Sequence, residues 1–239
     1  MKKPTENETT HITIILDRTG SMESIREDTI GGFNTFLKEQ KEIPGKVTLS
    51  LIQFDTVDPF EIIHDMKPIE HVQPLTRETY VPRAATPLLD AMGNGINHLK
   101  QTLKGIDKAI RPRRIVMVVI TDGQENSSCE FRKDQIVRMI SKQQEKAGWQ
   151  FVFLSADLDA MNDAMAAGFR HHASLCFDKN REGVREAWGS MSEKIRDYRN
   201  RCCSIIEFSD GDRQRQRLEG LRKKQVPVTV NTKPDSDEQ

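Results

Sequence analysis

The sequence predicts an α/β fold: a Rossmann-like, doubly wound, mainly parallel sheet with one antiparallel edge strand and helices on both faces. Three observations predict it. Short β-branched runs alternate with longer amphipathic stretches from residue 11 to about residue 200, the pattern of strand–helix–strand units. The run Ile115–Thr121 (IVMVVIT) is apolar throughout, as a strand covered on both faces must be. Turn-forming residues, DRTGS after the first run and Asp122-Gly123 after the central one, end strands abruptly.

The elements follow in order. His11–Leu16 reads as a buried strand. After Asp17-Arg18-Thr19-Gly20-Ser21 comes a helix with Met22, Ile25, Thr29, Phe33, Phe36 and Leu37 near one face. Gly31-Gly32 inside it weakens the helix and implies close packing. Val47–Phe54 is a second strand, and Phe60–Asp65 a third, paired to it antiparallel at the sheet edge. Thr86-Pro87 suits a helix start, Thr as N-cap and Pro as first helical residue. Leu88, Leu89, Met92, Ile96, Leu99 and Leu103 give that helix its apolar stripe. Ile115–Thr121 belongs at the sheet centre. Phe131–Ala147 reads as helix, Trp149–Ser155 as strand, Leu158–Ala167 as a short helix closed by Gly168, and Ala173–Phe177 as a weaker strand. Val184, Trp188, Met191, Ile195 and Tyr198 mark the last helix. Trp149 and Trp188 read as core residues.

These assignments give three regions: a flexible N-terminus, 1–10; one domain, 11–208; and a mostly disordered charged tail, 209–239, polar and without a periodic apolar face. Lysine plus arginine and aspartate plus glutamate both total 36, for a net charge of zero. Nothing global therefore points to nucleic acid or an anionic membrane. The basic stretch from Arg213 to Lys224 lacks aromatic stacking residues and reads as a solvated face or tail. No apolar run approaches the ~20 residues of a membrane helix. The start, MKKPTENETTHIT, has no apolar segment after its lysines. Cys129, Cys176, Cys202 and Cys203 match no metal spacing and read as reduced thiols, hence a cytoplasmic compartment. His171-His172 reads as a strand-end pair, and Asp210-Gly211-Asp212 as a turn lacking the other ligands of a calcium loop.

In a parallel sheet all strand-to-helix turns lie at the carboxyl edge, so the turns at 17–21, 86–87 and 122–126 meet there. They bring two carboxylates, Asp17 and Asp122, and three hydroxyls, Thr19, Ser21 and Thr86. All are hard oxygen donors, which suits Mg²⁺ or Mn²⁺ over zinc. Two carboxylates neutralise a divalent cation. If one acts through water, residual positive charge favours an anionic further ligand. Taken singly, Ser21 and Thr86 could be helix caps, and Asp17 and Asp122 turn residues. Taken together, one metal could reach all five.

The same residues carry a family resemblance. Asp17-Arg18-Thr19-Gly20-Ser21 resembles the D-x-[ST]-x-S motif of the metal-ion-dependent adhesion site (MIDAS) in von Willebrand factor A domains. Thr86, in YVPRAATPLLDAMG, is similar to the threonine of that family's second loop, and Asp122, in VVITDGQENSS, to its third-loop aspartate. The likeness runs over about residues 11–200 and is greatest to the intracellular bacterial and phage branch. It implies metal-assisted protein binding without catalysis, a partner donating an Asp or Glu carboxylate to the metal. Two departures stand out: Thr19 replaces the commoner Ser, and Ala84-Ala85 stands where many relatives place Gly before the Thr. The rival is an enzyme. DRTGS also resembles the D-K-T-G-T segment of haloacid-dehalogenase-type phosphotransferases, where Asp17 would be a nucleophile. That reading leaves Thr86 without a role and lacks the family's late acidic pair.

Overall fold

The β-branched run at the start becomes β1 (Thr10–Asp17), which pairs in parallel with β2 (Val47–Phe54) on one side and β4 (Arg114–Thr121) on the other. The computed structural model describes residues 9–222, with side chains as far as Gln216. β3 (Glu61–Pro68) joins β2 antiparallel, while β5 (Gln150–Ser155) and β6 (Ser174–Cys176) extend the other side in parallel. The order is β3-β2-β1-β4-β5-β6. β1 and β4 hold the centre because their side chains are apolar enough to be covered on both sides. β3 runs three residues beyond the predicted Asp65, through a pairing irregularity where Met66 has φ 44°.

One face is covered by α1 (Arg26–Glu42) and α5 (Arg181–Arg199). There Ile12, Ile14 and Leu16 of β1 pack with Phe33, Phe36 and Trp188. α2 (Leu88–Gly105), α3 (Lys133–Ala147) and α4 (Leu158–Ala166) cover the other, where Ile15 and Val119 meet Leu88, Met92, Ile136 and Met161. Both tryptophans are buried. Only half of the Gly31-Gly32 expectation holds: a Cβ on Gly32 would stand 2.3 Å from the Trp188 ring, whereas one on Gly31 meets nothing within 4 Å.

Several boundaries differ from the sequence reading. A short 3-10 helix, Gly20–Ile25, precedes α1, so Ser21 does not cap it. Thr86 and Pro87 do not begin α2. The Thr86 amide is taken by the Asn126 side chain, Pro87 sits at ψ 62°, and the helix starts at Leu88. His171-His172 lies in a 3-10 turn just before β6, and Asp210-Gly211-Asp212 forms the first turn of a helix.

That helix, α6 (Asp210–Arg222), is the main correction. The sequence predicts a disordered tail over 209–239, yet 210–222 is helical and packs on α5 and β6. Its order comes from fixed polar partners. Asp212 is fully buried and accepts from the Ser209 amide (2.6 Å) and hydroxyl (2.7 Å), with Lys194 Nζ 3.1 Å away and Arg215 paired to it. Arg213 donates to the carbonyls of Ser174 and His171, each at 2.8 Å. Composition does not reveal such partners, because no apolar stripe is involved. Of the predicted flexible N-terminus, residues 1–8 lie outside the described residues, as do tail residues 223–239, while Thr10 is buried in β1. Among the described residues no helix is long and apolar enough to cross a membrane.

Three outcomes are expected. Gly32→Ala should destabilise by about 1–3 kcal/mol through overpacking against Trp188 and change the tryptophan fluorescence. Gly31→Ala should stabilise by about 0.5–1 kcal/mol; equal effects in urea denaturation would contradict the packing. Asp212→Ala leaves Lys194 and Arg215 without their shared carboxylate and should cost about 2 kcal/mol, with α6 losing amide protection first in hydrogen exchange.

Candidate functional site

The chain runs from β1 outward to β2 and β3, then crosses back to place β4 on the opposite side of β1. The carboxyl ends of β1 and β4 are therefore the switch point of the sheet, where opened-out loops leave a crevice. Asp17 is the last residue of β1 and Asp122 follows the last residue of β4; Leu16 pairs with Ile120. The topology thus sets the two carboxylates side by side.

Asp17 is fully buried. Its Oδ1 accepts from the Thr19 amide (2.7 Å), its Oδ2 from the Thr121 hydroxyl (2.5 Å), and its backbone carbonyl from the Tyr80 hydroxyl (2.6 Å). The Ser21 hydroxyl donates to Asp122 Oδ1 at 2.6 Å and lies 3.2 Å from the Thr19 hydroxyl. The other oxygen of Asp122, Oδ2, is buried and accepts no hydrogen bond. Lys179 Nζ stands 2.5 Å from it, an ion pair by distance whose direction is wrong for a hydrogen bond.

Of the five residues singled out by sequence, Asp17, Thr19, Ser21 and Asp122 thus fall into one polar cluster. Thr86 is joined through its backbone: its amide donates to Asn126 Oδ1 (3.0 Å), and its carbonyl accepts from the Asn126 amide (3.2 Å). Its loop is also fastened to the first one, by Gly20 N–H to the Ala84 carbonyl (3.0 Å) and Arg83 N–H to the Arg18 carbonyl (2.9 Å). Ala84 has φ 60°, a left-handed conformation strained for alanine, at the position where the resemblance noted a missing glycine.

Other residues that build the site were not identified from sequence. Thr121 and Tyr80 hold Asp17. Asp90 accepts from the amides of Cys129, Glu130 and Phe131, and Glu125 from those of Leu89, Ser127 and Ser128, so two carboxylates shape the third loop. Arg18, buried within the first motif, pairs with Asp55 (2.9 Å) and Glu61, and Arg83 also pairs with Asp55 (3.0 Å). Asp90 lies off the apolar stripe of α2, so periodicity gave no signal for it. For Lys179 there was none either.

The electrostatics follow from burial. Desolvation pushes the Asp17 carboxyl up to about 7, against the pull of the Thr121 and Thr19 hydrogen bonds, and the charge of Asp122 adds to the rise. Burial also raises Asp55, but hydrogen bonds from the Asp58 amide, Arg83 and the Val57 amide outweigh it and hold that carboxyl below its ordinary range. The two buried carboxylates at the switch point thus have one ammonium near them, Lys179 beside Asp122 Oδ2, and that oxygen accepts no hydrogen bond. Those features fit a cation. The donors are all oxygen, which fits a hard divalent ion. Among the described residues no group of three or more His, Cys, Asp or Glu side chains is arranged to hold a metal, so coordination would have to draw on the hydroxyls.

No protein-family model matches the sequence, and no curated protein matches it. Solved structures match the fold. Proximal thread matrix protein 1 from the mussel byssus, in a structure with a zinc-occupied MIDAS motif, is similar with a TM-score of 0.55 over 80% of this chain and 46% of that one, at 12% identity. A second structure of that protein gives 0.54 over 79% and 45%, at 11% identity. A von Willebrand factor type A structure from Catenulispora acidiphila gives 0.52 over 78% and 42%, at 11% identity. The chain spans less than half the length of these proteins. At such identities the likeness is one of fold, and the fold is the one the three sequence motifs implied.

The raised Asp17 carboxyl makes a pH prediction. Between about pH 4 and 7 the native state holds a proton on Asp17 that the unfolded chain has released. The contribution of this group to stability is full below about pH 4 and is lost as pH rises through 7. In EDTA, wild type should therefore lose stability relative to Asp17→Asn by a few kcal/mol over that range. Buried His11, held down to about 3, acts in the opposite sense but is common to both proteins and cancels. A pH-independent difference in urea denaturation would contradict the assignment.

Proposed function

We propose that this chain is a metal-dependent protein-interaction module and not an enzyme. The observation that carries the reading is the cluster at the switch point: Asp17, Thr19, Ser21 and Asp122 linked across two loops, with Asp122 Oδ2 buried, without a hydrogen bond and facing a cation, the Lys179 ammonium. With Thr86 on the adjoining loop, these residues form an all-oxygen set for Mg²⁺ or Mn²⁺, a site of the metal-ion-dependent adhesion type. The zinc-occupied MIDAS motif of the byssus protein supports a divalent cation in general. When bound, the cation supplies an electrostatic anchor for a carboxylate. The two aspartates only balance its charge, and the hydroxyls add none, so an Asp or Glu from a partner protein can complete its shell. We place the protein in the cytoplasm, in keeping with four free cysteines.

The burial of Asp17 speaks against the phosphotransferase alternative. Both its oxygens already accept hydrogen bonds and neither reaches solvent; a nucleophile must touch its substrate, whereas a carboxylate can serve a metal through a bridging water. Of the basic stretch, Arg213 and Arg215 are engaged by the domain itself, which takes these two away from a nucleic-acid surface.

Calorimetry with Mg²⁺, Mn²⁺ and Zn²⁺ on the full chain should show weak binding that prefers Mn²⁺ or Mg²⁺. Asp17→Ala and Asp122→Ala should abolish it, and Thr121→Val, which releases Asp17, should weaken it by about tenfold. Phosphatase and ATPase assays with Mg²⁺ should stay at background; turnover lost in Asp17→Asn would favour the enzyme. A partner captured in Mn²⁺ should be released by EDTA and missed by Thr86→Ala.

A further inference from the structure

Lys179 lies outside every motif, yet its ammonium reaches the centre of the site. It stands in the connection between β6 and α5. The backbone there is fixed on both sides: the Asn180 amide donates to the Asp178 carbonyl at 2.7 Å, and the Asn180 side chain accepts from the amides of Glu182 and Gly183 at 3.1 Å. The turn is so tight that a Cβ on Gly183 would stand 2.2 Å from the Asp178 carbonyl oxygen. From this rigid base the lysine places Nζ 2.5 Å from Asp122 Oδ2. That oxygen is buried and receives no hydrogen bond, while the lysine side chain remains 37% exposed.

We infer that Lys179 is a built-in competitor for the divalent cation, a tethered single positive charge that balances Asp122 and must leave it when the metal binds. This rests on the metal-binding reading above. The inference follows from charge and geometry. The buried Asp122 Oδ2 faces the Lys179 ammonium at 2.5 Å and accepts no hydrogen bond. A divalent ion that takes this oxygen would meet the ammonium at close range, and two cations that near each other repel, so one displaces the other. The lysine stem is long, flexible and partly in solvent, so its head can withdraw to water without moving the backbone. The ion pair is then the reference state against which metal affinity is set. It lowers metal affinity, so that a cation assisted by a partner carboxylate holds the site more fully.

The test compares wild type, Lys179→Met and Lys179→Arg as full chains, with Asp122→Ala as the control for the site. Titration with Mn²⁺ alone should show Lys179→Met binding roughly tenfold tighter than wild type, the scale of a charge-assisted contact that is partly solvated. Lys179→Arg, which keeps the charge, should stay close to wild type. In EDTA, Lys179→Met should melt about 2–4 °C below wild type, and saturating Mn²⁺ should raise its melting point by more than it raises that of wild type. Equal or weaker Mn²⁺ binding by Lys179→Met, with binding still abolished in Asp122→Ala, would overturn the competitor and leave the metal site standing. Absence of Mn²⁺ binding in both wild type and Lys179→Met would overturn the metal reading, and this inference with it.

Discussion

Two carboxylates are held together at a buried sheet edge with one ammonium near them, and much of the surrounding structure is explained by that constraint. Parallel pairing of β1 with β4 brings Asp17 next to Thr121 and Asp122. Water is largely excluded, so each charge must be met by a donor or a cation. The chain supplies hydroxyls and amides: Thr121 and the Thr19 amide for Asp17, Ser21 for one oxygen of Asp122. These stabilise the charged forms only in part, and the Asp17 carboxyl rises to about 7 in spite of them.

Neutral donors are useful here only if they are fixed, because a loop free to relax would turn them away. The loops are therefore tied to one another. Backbone bonds from Gly20 and Arg83 join the first loop to the second, and Asn126 joins the second to the third. Asp90 and Glu125 gather the amides of residues 127–131 and Leu89, a role that regular secondary structure cannot fill at a strand end. Arg18 extends the same stiffness toward β2 and β3 through Asp55 and Glu61, with Arg83 sharing Asp55. The Arg18–Asp55 pair at the centre of this network is buried, and such a pair adds little net stability but is costly to break, which suits a part whose task is to hold geometry. The left-handed Ala84 fits the same description, since strain there is tolerated only where neighbours over-determine the backbone.

Away from this edge the structure obeys ordinary packing. α1 and α5 approach closely because Gly32 leaves room for the Trp188 ring, which packs edge-on against Phe33. α6 closes over α5 and β6 through Asp212 and Arg213. The turn that carries Lys179 lies between these two bodies, at the end of β6 and the start of α5. The packing of α5 therefore also sets where the lysine's base stands.

The sequence by itself determined the layered architecture, because apolar periodicity is a local property: IVMVVIT can only be a strand covered on both faces, and the stripe from Leu88 to Leu103 can only be a helix lying on a core. It also marked Asp17, Thr19, Ser21 and Asp122, because turn residues with oxygen side chains after parallel strands must share one edge; Thr86, which follows the antiparallel β3 after a long loop, was marked by the family resemblance. What it left open depended on partners far away in the chain. A charged segment such as 210–222 reads as disordered until Lys194 and Ser174 are known to face it. Thr86 reads as a helix cap until Asn126 is seen to claim its amide. Lys179 reads as one lysine among many until the tight turn at Asp178–Gly183 aims it at Asp122. Burial patterns are written in neighbouring residues, whereas the pairing of a single polar group is decided only when the tertiary structure brings its partner within about 3 Å.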